Sequence, residues 1–154
     1  MNRYLDAIFC DDMRQEVTGK SILIGVYSSI MIVGSYPTTL PQLCVVIKAV
    51  SPAKHPFSEL TVRLYQDEKV LSEVTVDSDQ LSVFAETAQA ECDNHISEFP
   101  GGTERLQTIR LLSTMRNVVL NNDCVIRVRA QTESEEIKTG GLRVKVSESQ
   151  EPEK

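Results

Sequence analysis

Apolar and polar residues alternate along much of this chain, which is typical of β-strands with one buried face. The segment 60–65 (LTVRLY) alternates strictly, and the segments 124–130 and 142–146 follow the same pattern. Short apolar runs between turn residues predict further strands at 4–10, 22–27, 30–33, 43–50, 70–76 and 106–113, with a short edge piece at 117–121. About eight strands at near-regular spacing predict a mainly β fold, an antiparallel β-sandwich of the immunoglobulin-like or C2-like kind.

The strand pattern also predicts which side chains are buried. The run 22–27 (ILIGVY) is apolar at nearly every position, so we expect a strand buried on both faces or nearly so, with 30–33 as its continuation after a kink. Polar or proline-containing segments at 11–20, 35–41, 51–56 and 131–139 are predicted turns and loops. The predicted core comprises Leu60, Val62, Leu64, Val74, Ile126, Val128, Leu142 and Val144.

One segment has helical rather than strand periodicity. Leu81, Phe84, Ala85 and Ala88 are spaced i, i+3, i+4 and i+7, which places them on one face of a helix. Asp77 or Ser78 can cap its start, so the spacing predicts one short helix over 79–91 that packs against the sandwich. The remaining pattern fits a single domain over residues 1–146, and the acidic segment 147–154 is expected to be a disordered tail.

Charge and composition narrow the class of partner. The net charge is −6, aromatic residues make up 5% and Trp is absent, which disfavours binding to nucleic acid or to a membrane surface. The amino terminus lacks the pattern of a signal peptide, and no apolar run approaches the length of a membrane-spanning helix. We therefore expect a cytoplasmic protein.

The four cysteines, Cys10, Cys44, Cys92 and Cys124, are widely scattered and form no close metal-binding pair. We expect four free thiols, with Cys44 and Cys124 as small core residues. The alternative is a Cys44–Cys124 disulfide between the sheets, which would require an oxidising compartment.

Three stretches of the chain resemble a known family. They are 4–27 (YLDAIFCDDMRQEVTGKSILIGVY), the LPQL segment at 40–43 with Pro56 and Phe57 downstream, and the ending 124–146 with its RVRAQTE and GGLRV motifs. This sequence resembles a family of small bacterial and phage proteins that is classed as a domain of unknown function. The resemblance implies a bacterial or phage source and is compatible with a β-sandwich, and it implies no activity and no site residues.

Catalytic motifs are not evident in the sequence. The two histidines, His55 and His95, lie in polar segments without a nucleophile turn such as G-x-S-x-G nearby. The seven glycines form neither a dinucleotide-binding nor a P-loop motif. We therefore expect a protein that is not an enzyme and needs no cofactor.

The acidic segment 11–16 is the candidate for a metal site. Asp11, Asp12 and Glu16 could supply oxygen ligands to Ca²⁺, as loop carboxylates do at the ends of some β-sandwiches. The sequence lacks the organised ligand loop that Ca²⁺ usually requires, and solvated surface carboxylates explain the same residues. A metal-dependent module or enzyme that uses this segment stays as an alternative function.

The last predicted hairpin is the candidate for a binding surface. Arg127 and Arg129 alternate with core residues in one strand, and Arg143 and Lys145 do so in the other, so the four cations are expected on one solvent-exposed face. Such a patch could bind an anion or an acidic partner. The alternative is a solvated face that guards a sheet edge against aggregation, or a register shift at Gly140 and Gly141 that scatters the cations.

Together these features favour a non-enzymatic protein-interaction module, and the resemblance implies that a phage or prophage could encode it. A structural subunit of a virion or larger assembly is a further alternative that the sequence leaves open.

Overall fold

The computed structural model describes residues 2–95 and 105–148, with all of their side chains except those of residues 87–95. The described chain forms nine strands and one helix: β1 (Tyr4–Gln15), β2 (Ser21–Val26), β3 (Ile30–Val33), β4 (Thr38–Pro52), β5 (Leu60–Gln66), β6 (Lys69–Val76), α1 (Ser78–His95), β7 (Leu106–Leu120), β8 (Cys124–Thr132) and β9 (Glu136–Val146).

The strands form two sheets that pack face to face. Sheet A has the order β2-β1-β4-β7, and sheet B has the order β3-β9-β8-β5-β6. Every neighbouring pair is antiparallel except β3 and β9, which run parallel. The predicted fold class, a mainly β sandwich with one helix, is confirmed.

The core lies between the inner faces of the two sheets. Of the eight predicted core residues, seven are buried, because their alternation follows the single buried face of β5, β8 and β9. The prediction for Val74 is wrong, because its side chain is 37% exposed. Val74 lies opposite the buried Val62, but β6 is the outermost strand of sheet B, so its side chains have a neighbouring strand on one side only.

The prediction that 22–27 is buried on both faces is also wrong. These residues form β2 at the edge of sheet A, where Ile22, Ile24 and Val26 are exposed. An apolar run shows which residues are hydrophobic but not whether another layer covers them. The segment 30–33 does not continue this strand; it crosses to sheet B as β3 and buries Met31 and Val33 in the core.

Several predicted loops are parts of longer strands. β1 continues to Gln15, β4 extends over 38–41 and 51–52, and β9 already begins at Glu136. The predicted pieces at 106–113 and 117–121 form the single strand β7. Asn117 has a φ of 54°, which breaks the alternation of β7, so Met115 and Val118 both reach the core.

The helix is confirmed and is longer than predicted. Asp77 caps its start, because its carboxylate accepts a hydrogen bond of 2.7 Å from the backbone amide of Asp79. Leu81 is buried in the core, whereas Phe84 is 41% exposed, and the side chain of Ala88 lies outside the described residues. Within the described residues, no helix is long and apolar enough to cross a membrane. The predicted tail lies outside the described residues from position 149 onward.

Candidate functional site

The outer face of sheet B carries the four cations that the sequence predicted. In β8 and β9, every second residue points into the core, and the residues between them point to solvent. Arg127 and Arg129 are half-buried on this outer face, and Arg143 and Lys145 are exposed on it. The structure therefore brings the four side chains onto one face of two neighbouring strands.

These two strands do not form a sheet edge. β8 lies between β9 and β5, whereas β9 pairs with β8 over Glu136–Val144 and with β3 over Arg143–Val146. Charges that protect against aggregation act on a free edge, where backbone donors and acceptors are unpaired. Edge protection therefore does not explain these cations, because their backbone is already paired.

A β-bulge keeps the cations of β9 on the outer face. Arg127 pairs with Gly141, whereas Arg129 pairs with Lys138, so β9 contains one extra residue between these two positions. The extra residue lets Lys138 and Arg143 both face solvent, although they are five positions apart. The register shift considered as an alternative is therefore present, but it does not scatter the cations.

Gly141 forms a notch in the middle of this face. A Cβ atom at Gly141 would lie 2.6 Å from Cγ1 of Val125 and 3.1 Å from Cγ of Arg127, which is too close for ordinary packing. The missing side chain leaves room for Val125 and Arg127 to lie across β9. At the preceding residue, Gly140, a Cβ atom would have no neighbouring atom within 4 Å.

Strand β5 adds two residues that sequence analysis did not assign to the site. Arg63 lies directly opposite Arg129, and the ring of Tyr65 lies 4.9 Å from the guanidinium carbon of Arg129, at cation–π distance. The alternation of 60–65 had already placed Arg63 and Tyr65 on the solvent face. Their contact with β8 depends on the sheet order, which alternation does not reveal.

Acidic residues balance only part of this positive charge. Arg63 pairs with Glu73 at 2.5 Å, and Lys138 pairs with Glu136 at 3.4 Å. The four predicted cations form no ion pair with any residue that the structure describes. We call the six cations together the basic face: Arg63, Arg127, Arg129, Lys138, Arg143 and Lys145.

Arg129 is the least satisfied residue of the basic face. Its Nε atom is buried and has no hydrogen-bond partner among the described residues. Like charges directly opposite each other on a sheet are destabilising, and Arg63 and Arg129 form such a pair. An anion bound at the surface would supply a compensating charge, although it would not reach the buried Nε atom.

The structure does not bring the three predicted metal ligands together. Asp11 and Asp12 are adjacent residues within β1, so their side chains point to opposite faces of sheet A. Glu16 lies in the turn after β1 and accepts a hydrogen bond of 3.3 Å from Thr18. Among the described residues, no three His, Cys, Asp or Glu side chains are grouped as a metal site requires.

The two aspartates instead have hydrogen-bond partners within sheet A. The carboxylate of Asp11 accepts a hydrogen bond from the Tyr27 hydroxyl, and burial together with this bond raises the pKa of Tyr27 to about 12. Asp12 accepts bonds of 2.9 Å from its neighbouring amide at Met13 and from Gln42, which hold the pKa of Asp12 below its usual value.

The three cysteines whose side chains are described are buried free thiols. Cys44 and Cys124 lie in different sheets and are not bonded to each other, and the side chain of Cys92 lies outside the described residues. Burial raises the pKa of the Cys10 and Cys124 thiols, which lowers their thiolate content at neutral pH.

The fold and the site define a β-sandwich domain with a basic, solvent-exposed sheet face. Residues 5–145 match the model of a family described as "Family of unknown function (DUF6941)", and the match spans the chain from β1 to β9. The chain belongs to this family, in agreement with the resemblance seen in the sequence. No curated protein matches the sequence.

Proposed function

We propose that this domain is a non-enzymatic interaction module that binds an acidic protein surface through the basic face. The observation that carries the proposal is the set of four cations that have no acidic partner among the described residues and lie on strands inside sheet B. Holding Arg63 opposite Arg129 costs stability, and carboxylates of a partner would offset that cost.

An acidic protein suits this face better than a nucleic acid does. The domain as a whole carries a net charge of −6, so phosphate repulsion would grow wherever a long polyanion extended beyond the basic face. The face also offers Tyr65 as its stacking residue, whereas single-stranded nucleic acids are usually held by several aromatic side chains. Guanidinium groups bind carboxylates in a bidentate manner, and Arg127 and Arg129 point to the same side of β8. The resemblance implies a bacterial or phage source, and the sequence pattern favours the cytoplasm as the place where such a module would act.

Binding of poly-L-glutamate tests the proposal. We expect the wild-type protein to bind it at low salt and to bind more weakly as salt is added, because exposed charges are screened. The double variant Arg127→Glu/Arg129→Glu should weaken binding at least about tenfold, as expected when charged contacts become repulsive.

The matched control is Lys20→Glu/Lys54→Glu, which changes the net charge equally at two exposed positions outside the basic face. This control should keep binding within about twofold, because rim charges distant from an interface contribute little. Equal loss in both variants, or binding of a single-stranded oligonucleotide in preference to poly-L-glutamate, would contradict the proposal.

A further inference from the structure

The outer face of sheet A differs from a normal solvated sheet face. Its centre is an apolar band that crosses all four strands and is formed by Ile24, Val26, Ile8, Cys10, Cys44, Val46 and Leu112. Ile24, Val26 and Leu112 are each more than 40% exposed. Cys10, Cys44 and Val46 are almost fully buried by their neighbours, yet none of the seven belongs to the core cluster between the sheets.

The described part of the chain does not cover this band. The contacts of sheet A with sheet B are made from its inner face, and α1 reaches the core beside β7 through Leu81. Residues at the rim of the band, such as Lys48 and Thr114, are exposed. The exposed apolar area is therefore concentrated at the two sides of the band, at Ile24 and Val26 on β2 and at Leu112 on β7. Apolar area exposed on a sheet face can mark an interaction site.

The charges around the band are separated by strand. In the row next to Ile8, the acidic Asp6 of β1 is followed by Lys48 of β4 and Arg110 of β7. In the row at the other margin of the band, Ile24 of β2 and Asp12 of β1 are followed by Gln42 and then by Arg116 of β7. The β1 side is therefore the acidic side, and the β4 and β7 side is basic.

Asp6 and Lys48 lie opposite each other on neighbouring strands, without the contact distance of an ion pair. Asp6, Lys48 and Arg110 form no ion pair with any described residue. Arg14, the further cation of β1 on this face, lies 3.5 Å from Asp12 at the margin and is 71% exposed. The separation of charge is thus strongest in the row of Asp6, next to the apolar band.

We infer that the outer face of sheet A binds a second copy of this chain, face to face, in a two-fold symmetric dimer. Consider a second copy turned by 180° about an axis parallel to the strands through the middle of the face. Each row then lies over the same row of the other copy, with left and right exchanged. With this axis between β1 and β4, Asp6 comes to lie opposite Lys48 of the second copy, Arg110 lies one strand further out, and the two apolar bands meet.

The alternative two-fold axis, perpendicular to the strands, places β1 over β1 and β7 over β7. Asp6 would then face Asp12 of the second copy, and Arg110 would face Arg116, so like charges would be opposed. The distribution of charge therefore selects the axis parallel to the strands. Two sheets packed in this way keep their strands within about 30° of each other, as in other aligned sandwiches.

The size of the face is sufficient for a specific dimer. Four strands about 4.8 Å apart and five rows about 6.7 Å apart give an area of about 600 Å² on each copy. The two copies together would bury about 1,200 Å², at the lower end of the range for specific interfaces. A dimer of this size is expected to dissociate on dilution.

The mass of the full chain in solution, measured by sedimentation over a range of concentrations, tests the dimer. Wild-type protein should change from monomer to dimer as concentration rises, and Leu112→Glu should raise the dissociation constant at least about tenfold. Ile32→Glu is the matched control, because Ile32 is a 60% exposed isoleucine on sheet B. This control should leave the dissociation constant unchanged, and thermal melts establish that each variant is folded.

A charge-swap series tests the orientation without altering the apolar band. Asp6→Lys alone and the pair Lys48→Asp/Arg110→Asp should each weaken the dimer, because each opposes like charges across the interface. The triple variant inverts both sides of the row and should restore association to near the wild-type level. A wild-type protein that stays monomeric at every concentration would overturn the dimer. So would a triple variant that dimerises no more tightly than the single and double variants, or an Ile32→Glu control that raises the dissociation constant as much as Leu112→Glu does.

Discussion

The two sheets expose outer faces of different character. On sheet A, an apolar band lies between two rows that are acidic on β1 and basic on β7, and on sheet B, four cations have no acidic partner in the part of the chain that the structure describes. Strand alternation produces both faces, since each strand that buries one side must show the other. The difference teaches that the outward-facing residues, which alternate with core residues along each strand, determine what each sheet can bind. The core residues determine only that a sheet forms.

The largest change in stability is expected when a substitution in the core is compared with one on an outer face. Ile126→Ala should lower the free energy of unfolding by about 2–5 kcal/mol, because Ile126 is completely buried and its loss leaves a cavity. Ile32→Ala, on the exposed outer face of the same sheet, should cost at most about 1 kcal/mol. Denaturant titration measures both, and equal costs would mean that the inner and outer faces are wrongly assigned.

A smaller effect is expected from the notch of the basic face. Gly141→Ala should destabilise the protein by about 1–3 kcal/mol, because its Cβ atom would meet Val125 and Arg127. Gly140→Ala is the control, since open space surrounds that position, and it should range from neutral to a gain of about 1 kcal/mol. Thermal melts measure both variants, and equal changes in their melting temperatures would contradict the close packing around Gly141.

The smallest effect concerns a contact at one end of the sandwich, away from both outer faces. Arg3 pairs with Glu133 at 2.5 Å, and Glu133 also accepts hydrogen bonds from the amides of Ser58 and Glu59. Burial alone would raise the pKa of Glu133, but these hydrogen bonds outweigh it and hold the pKa below its usual value. Glu133→Gln should therefore cost about 1–2 kcal/mol at neutral pH.

This cost should depend on pH in a defined direction. Because the pKa of Glu133 is lowered in the folded state, its stabilisation is complete above the unfolded value of about 4.3 and is lost as pH falls through the folded value. The difference between wild type and Glu133→Gln should shrink in acid, as measured by urea titrations at several pH values. A difference that stays constant with pH would contradict the ionic contribution.

The sequence predicted β5, β8 and β9 of sheet B well for a physical reason. The segments 60–65, 124–130 and 142–146 each have one face in the core and one in solvent, so their hydrophobic period equals the strand period. It predicted β2 poorly, because Ile22, Ile24 and Val26 look like core residues unless one knows that nothing described covers them. Burial depends on the second layer, which is not a local property.

The candidate site could be predicted in part for the same reason. Alternation was enough to place Arg127, Arg129, Arg143 and Lys145 on one side of their strands. It could not show that Arg63 lies opposite Arg129, or that the parallel strand β3 covers the edge of β9. Both depend on pairings between distant segments, which the pattern along one strand does not contain.

The central claim is that an acidic partner binds the basic face of sheet B. Its most direct test is nuclear magnetic resonance of the isotopically labelled full chain, titrated with a short peptide of glutamate residues. We predict that the shifted amides cluster in β5, β8 and β9, around Arg63, Arg127, Arg129 and Arg143, and that added salt reverses the shifts. Shifts centred on the cations of sheet A, at Lys48 and Arg110, or spread over both sheets, would contradict the claim.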